Sequence, residues 1–104
     1  MSHITCYDFD ECLAALSHEI RERILVLLGD REMSVNELTQ HFAVTQPTIS
    51  HHLAVLRRAH LVSTRRDGWQ IFYRAIPDGV AECCREIRAR FSPDSGEGEQ
   101  TRRL

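Results

Sequence analysis

Lysine is absent: all thirteen basic side chains of this chain are arginine. That is a compositional bias, and no function is read from it. Long apolar runs are absent too, none approaching the roughly 18 residues that a membrane-spanning helix needs. The opening MSHITCYDFDEC lacks a basic stretch followed by an apolar one, the pattern of a secretory signal. The expected location is therefore the cytoplasm, with no membrane as partner. There is no nucleophile elbow, no glycine loop that would cradle a phosphate, and no Cys-x-x-Cys, so an enzyme is not expected.

What is present fits one small domain. The chain has 104 residues and 42% hydrophobic content, enough for a modest core whose stability a dimer interface would raise. The formal charge is −2, which by itself argues against nucleic acid. Its distribution argues the other way. Residues 1–44 carry −5, residues 45–75 carry +4 through Arg57, Arg58, Arg65, Arg66 and Arg74 against Asp67, and residues 76–104 carry −1. A basic middle third on an acidic chain suits a protein that meets phosphates with one face.

Periodicity predicts short helices and one hairpin. A first helix covers about residues 8–16, with Phe9, Cys12, Leu13 and Leu16 on one stripe. A second runs from an N-cap at Ser17 to a stop at Gly29, with Ile20, Ile24, Leu27 and Leu28 at helical spacing. A third opens at Ser34 with Glu37 three residues on, a capping box, and buries Val35, Leu38 and Phe42. Thr45 caps a fourth, Pro47 sits in its first turn, and Ile49, Leu53 and Leu56 face inward. His52 is expected at the core edge and His60 at the helix end. Residues 63–66 and 69–74 then read as two strands around Asp67-Gly68, a basic wing after a helix-turn-helix. A fifth helix opens at Pro77 and carries the stripe Val80, Cys84, Ile87, Phe91. Having no partner in the helix-turn-helix core, it pairs with the first helix as the expected dimerisation surface. The fold class expected is mainly α with a β-hairpin wing over residues 1–91, followed by a disordered tail at 92–104.

The stretch LSHEIRERILVLLGDREMSVNELTQHFAVTQPTISHHLAVLRRAHLVSTRRDGWQIFYRAI, residues 16–76, resembles the ArsR/SmtB family of bacterial metal-responsive repressors. The resemblance implies a homodimeric winged helix-turn-helix that binds an inverted repeat in double-stranded DNA and leaves it on binding an inducer. The fourth helix is then the recognition helix. Thr45, Gln46, Thr48, Ser50 and His51 lie off its apolar stripe, where side chains of such a helix reach base edges in the major groove. Arg57 is expected at the DNA backbone, with Arg65, Arg66 and Gln70 of the wing at phosphates or a neighbouring minor groove. A winged helix used for protein contacts, or an architectural DNA binder that senses nothing, are the weaker alternatives.

The signal is less defined. The third-helix site of arsenic- and cadmium-responsive relatives needs a Cys-x-Cys, and Met33-Ser34-Val35-Asn36-Glu37-Leu38 has no cysteine. The fifth-helix zinc site needs histidines, and none follows His60. Four cysteines remain: Cys83 and Cys84 on the fifth helix, and Cys6 and Cys12 near the first. Structural disulfides are rare in a reducing cytoplasm, so these thiols are expected as ligands or sensors. Vicinal Cys83 and Cys84 with a third thiolate from Cys6 or Cys12 suit a soft ion, As(III) or Sb(III) first, with Hg, Cd or Pb also open. A thiol-based redox or reactive-sulfur sensor is the alternative. In the plainest reading Cys84 and Cys12 are small hydrophobes on buried stripes.

Overall fold

The structure, a computed structural model, describes residues 9–91. In chain order these form α1 (Phe9–Leu16), α2 (Glu19–Leu28), β1 (Glu32–Ser34), α3 (Val35–Thr39), α4 (Gln46–Arg58), β2 (Val62–Asp67), β3 (Gln70–Ala75) and α5 (Pro77–Phe91). The expected tail at 92–104 lies outside the described residues.

The helix boundaries follow local chemistry, with one correction. α2 is capped by His18 and not by Ser17: the His18 Nδ1 accepts from the Ile20 amide at 3.1 Å. The Ser17 hydroxyl instead donates backwards to the Ala14 carbonyl at 2.9 Å, closing the end of α1. A histidine cap needs an unprotonated ring nitrogen, a rule that a Ser/Thr/Asp/Asn search does not contain. α3 has the full capping box: Ser34 Oγ accepts from the Glu37 amide at 3.1 Å, and Glu37 Oε1 accepts from the Ser34 amide at 2.9 Å. At α4 Thr45 occupies the cap position, but its hydroxyl pairs with that of Thr48 at 3.1 Å and makes no capping bond.

The hairpin is longer than expected and gains a third strand. β2 and β3 pair antiparallel from Val62↔Ala75 to Asp67↔Gln70. The turn is therefore Gly68-Trp69, not Asp67-Gly68. Gly68 has φ +66°, which a two-residue hairpin loop accepts from glycine at its first position. β1 adds to the far edge of β3, giving the order β1-β3-β2 with Met33 opposite Tyr73. Three residues that end in a helix cap show no alternation, so β1 is invisible in sequence.

The core draws on every helix: Cys12, Ala15, Ile24, Leu28, Leu38, Ile49, Leu53, Leu56, Leu61 and Cys83 are all fully buried. On α5 the stripe is rotated from its expected position. Cys83 is buried while Cys84 is exposed, and Phe91 is 64% exposed, its ring 6.4 Å from that of Phe9. α5 packs chiefly on α1, and α1 in turn touches α2 and α4. The start of α5 presses on the α4–β2 connection: a Cβ at Gly79 would stand 2.1 Å from the His60 carbonyl oxygen. His60 itself takes the left-handed conformation, φ 61°.

Candidate nucleic-acid interface and cysteine pair

α4 buries Ile49, His52, Leu53 and Leu56. The helical period therefore leaves Thr45, Gln46, Ser50 and His51 exposed, with Thr48 half-buried. Gln46, Ser50 and His51 lie on the exposed side of α4, Thr45 stands at its cap and Thr48 at its half-buried edge, and Gln46 borders the same cleft as the wing tip. That cleft, of about 190 Å³, is lined by Gln46, by Trp69, Gln70 and Ile71 of the wing, and by Ser34, Val35 and Asn36. Arg57 and Arg58 end the helix, exposed, and with Ala54 and Tyr73 line a second, shallower hollow.

The wing arginines divide into two kinds. Arg65 is engaged: its Nε and Nη2 donate to Glu32 at 2.8 and 2.9 Å, and its guanidinium lies 4.9 Å from the centroid of the Phe72 ring. These bonds hold the Glu32 carboxyl below its ordinary range and raise Arg65 above its own. The side chain nonetheless stays 52% exposed, with its Nη1 left to a looser approach to Asp67 at 3.9 Å. Arg66 lies one residue on, on the other face of the hairpin, opposite Ile71. No ion pair to Arg66 occurs among the described residues.

A partly buried network that sequence reasoning missed anchors α4. Arg21 donates to the carbonyls of Ala14 at 2.8 Å and Ala15 at 3.0 Å, and its Nη1 to His52 Nδ1 at 2.9 Å. One guanidinium thus ties α1 and α2 to α4. The His52 ring lies 4.4 Å from that of His18, tilted 47° to it, and the His18 Nδ1 is already committed to the α2 cap. Burial first, then the neighbouring His18, Arg21 and His51, lowers the pKa of His52, and burial lowers that of Arg21. The signal for His52 was present in its place on the Ile49–Leu53–Leu56 stripe. Its partner, 31 residues away, was not.

The cysteines sort differently from the sequence expectation. Cys12 of α1 and Cys83 of α5 are joined as a disulfide, with Cα atoms 5.9 Å apart and both residues fully buried. Cys84 is free and exposed on the other side of α5, so the vicinal pair does not converge on one point. Cys6 lies outside the described residues. Among the described residues no three His, Cys, Asp or Glu side chains gather as metal ligands. No helix among them is long and apolar enough to cross a membrane.

Residues 18–64 match the family model described as bacterial regulatory protein, arsR family. The chain is 40% identical over 73 residues to the arsenical resistance operon repressor of Staphylococcus aureus, covering 67% of this chain and 70% of that one. The chain belongs to the ArsR family. Another relative is the HTH-type transcriptional regulator KmtR of Mycobacterium tuberculosis, 52% identical over 72 residues. That match takes in 69% of this chain and 55% of KmtR's own length. The fold agrees with a crystal structure of a possible transcriptional regulator for arsenical resistance, at TM-score 0.75 and 32% identity over 88% of this chain and 92% of that one. These ArsR-family relatives are named as transcriptional regulators, not as enzymes, and this chain is a transcriptional regulator of the same winged helix-turn-helix type.

Proposed function

We propose that this ArsR-family chain is a cytoplasmic repressor that binds an inverted repeat in double-stranded DNA as a homodimer. The observation that carries the reading is the set of polar side chains at the start of α4, exposed Thr45, Gln46, Ser50 and His51 with half-buried Thr48, standing beside a basic wing on an otherwise acidic chain. Gln46 and Ser50 read bases, and Arg57, Arg66 and Gln70 hold the backbone. Arg65 serves mainly to brace β2 on β1 through Glu32. α1 and α5 supply the dimer surface.

The releasing signal enters through the thiols. The names of the S. aureus relative and of the solved structure favour a metalloid. Two cysteine thiols condense with As(OH)₃ to give a dithiolate As–OH and two waters, with Sb(III) reacting alike and Hg, Cd or Pb bound as ions. Cys12 and Cys83 are the pair best disposed for this, with Cys84 or Cys6 as the source of a third sulfur. A second reading has its own support in the Cys12–Cys83 pairing. Two thiols and one hydrogen peroxide give a disulfide and two waters, so the same pair would report an oxidant or a reactive-sulfur species. In either case the ligand or bond favours one arrangement of α1 against α5, and DNA affinity shifts by that differential free energy.

Fluorescence anisotropy of the reduced protein on the DNA upstream of its own gene tests both parts. Saturable binding that competitor DNA does not remove is expected. Release by arsenite or antimonite at near-stoichiometric dose, lost in Cys12→Ser and Cys83→Ser, supports the metalloid reading. Release by peroxide or persulfide alone supports the redox one. Release that survives both substitutions sinks the thiol site.

A further inference from the structure

Trp69 is the single tryptophan of the chain and stands fully exposed at the tip of the wing. Gly68 takes the left-handed first position of the two-residue turn, which puts Trp69 at the second, beyond the last paired residues Asp67 and Gln70. The whole indole at the tip of the wing is therefore open to a partner. Its surroundings say which one. Trp69 lines the 190 Å³ cleft together with Gln46 of the first turn of α4. Asn36, Gln46 and Gln70 bring neutral amides to it, Ser34 a hydroxyl, Val35 and Ile71 apolar surface, and no carboxylate lines it. Arg66 lies on the strand just behind the tip. An uncharged cleft, part amide and part apolar, with an indole in its lining and a guanidinium nearby matches an alternating ligand, apolar sugar face then anionic phosphate.

We propose that this cleft seats one sugar–phosphate strand of the duplex, with Trp69 packed on a deoxyribose and Gln46 and Asn36 donating to the adjoining phosphate. The inference rests on the DNA-binding reading above and adds to it a definite chemistry: the principal contact of the wing is apolar. Aromatic packing on a nucleotide releases no counterion, whereas each arginine–phosphate contact does. The two kinds of contact therefore separate in a salt titration.

The experiment uses the full chain and a labelled duplex from upstream of its own gene, with anisotropy measured over a series of salt concentrations. Trp69→Ala weakens binding about tenfold and leaves the slope of log K against log salt unchanged. Arg66→Ala lowers that slope by roughly one. Trp69→Phe retains most of the affinity. The emission of the sole tryptophan is quenched or shifted as duplex saturates the protein. Wild-type affinity in Trp69→Ala, or unmoved emission while anisotropy reports the complex, would overturn the proposal. So would a slope that falls in Trp69→Ala as it does in Arg66→Ala. Failure of the unmodified protein to bind the duplex at all removes the DNA-binding reading and this inference with it. Because Trp69 is fully exposed, unchanged circular dichroism and melting of the variants are expected and guard against misfolding as the cause.

Discussion

Arg21 and His52 join three helices through one guanidinium. Arg21 donates to two carbonyls at the end of α1, of which Ala14 also accepts from Ser17, and spends its remaining donors on α4. Arg21→Ala leaves two carbonyls and a buried imidazole without that partner. It is expected to cost about 2–3 kcal/mol, read from the denaturant midpoint. Lysine cannot rescue it, since a single ammonium does not span three acceptors on two elements. The same contact sets a pH dependence. His52 accepts at Nδ1 from a cation, so its neutral form is the native one and its folded pKa lies below the ordinary 6.5. Above that value the ring is neutral whether folded or unfolded and contributes no pH dependence. As pH falls below it, the unfolded chain takes up the proton first and stability declines toward the depressed folded pKa. Thermal melts from pH 7.5 down to 5 are expected to show this loss, and His52→Gln to flatten it. At the DNA surface, Gln46→Ala with Ser50→Ala is expected to abolish operator binding in a gel-shift assay while the dimer persists in sedimentation. Retained sequence-specific binding would remove α4 as the reading helix.

At the scale of elements, the helices were legible and their exact joins were not. The capping box at Ser34 is a local device, and the sequence announces it. Ser34→Ala is expected to destabilise by about 1 kcal/mol. The joins that escaped depend on neighbours distant in the chain. β1 is a strand because β3, some forty residues later, offers it an edge. The turn falls at Gly68-Trp69, and not one residue earlier, because the pairing of Val62 with Ala75 sets the register for the whole hairpin. Gly79 looks like an ordinary turn residue, yet it is the point where α5 crosses the His60 carbonyl. Gly79→Ala is expected to force α5 away from that carbonyl and lower the melting temperature, where an alanine elsewhere in a first helical turn would be neutral or helpful.

For the whole molecule, the decisive arrangement is the path from α5 through α1 to α4. α5 rests on α1, and α1 shares Arg21 with α4, so a change at the cysteine pair has a short mechanical route to the helix proposed to read DNA. The disulfide also closes a loop with a sequence separation of 71. A closure of that length is expected to raise stability by about 2–4 kcal/mol over the reduced chain, which calorimetry with and without reductant would measure. Cys12→Ser and Cys83→Ser should each erase the difference, and Cys84→Ser should leave it.

The sequence by itself determined the family, the winged helix-turn-helix order, the polar face of α4 and the basic stretch, because each rests on periodicity, caps or motifs within a few residues. Only the tertiary structure decided which thiols meet. Cys83 and Cys84 are neighbours in the chain, but about 100° of helical rotation separates adjacent side chains, and the packing of α5 on α1 sends one inward to Cys12 and the other to solvent. It also decided that Arg65 pairs with Glu32 while Arg66, on the other face of the strand, makes no ion pair among the described residues. Adjacency in sequence carries no information about convergence in space. That comes from the core, which fixes how the elements are turned against one another.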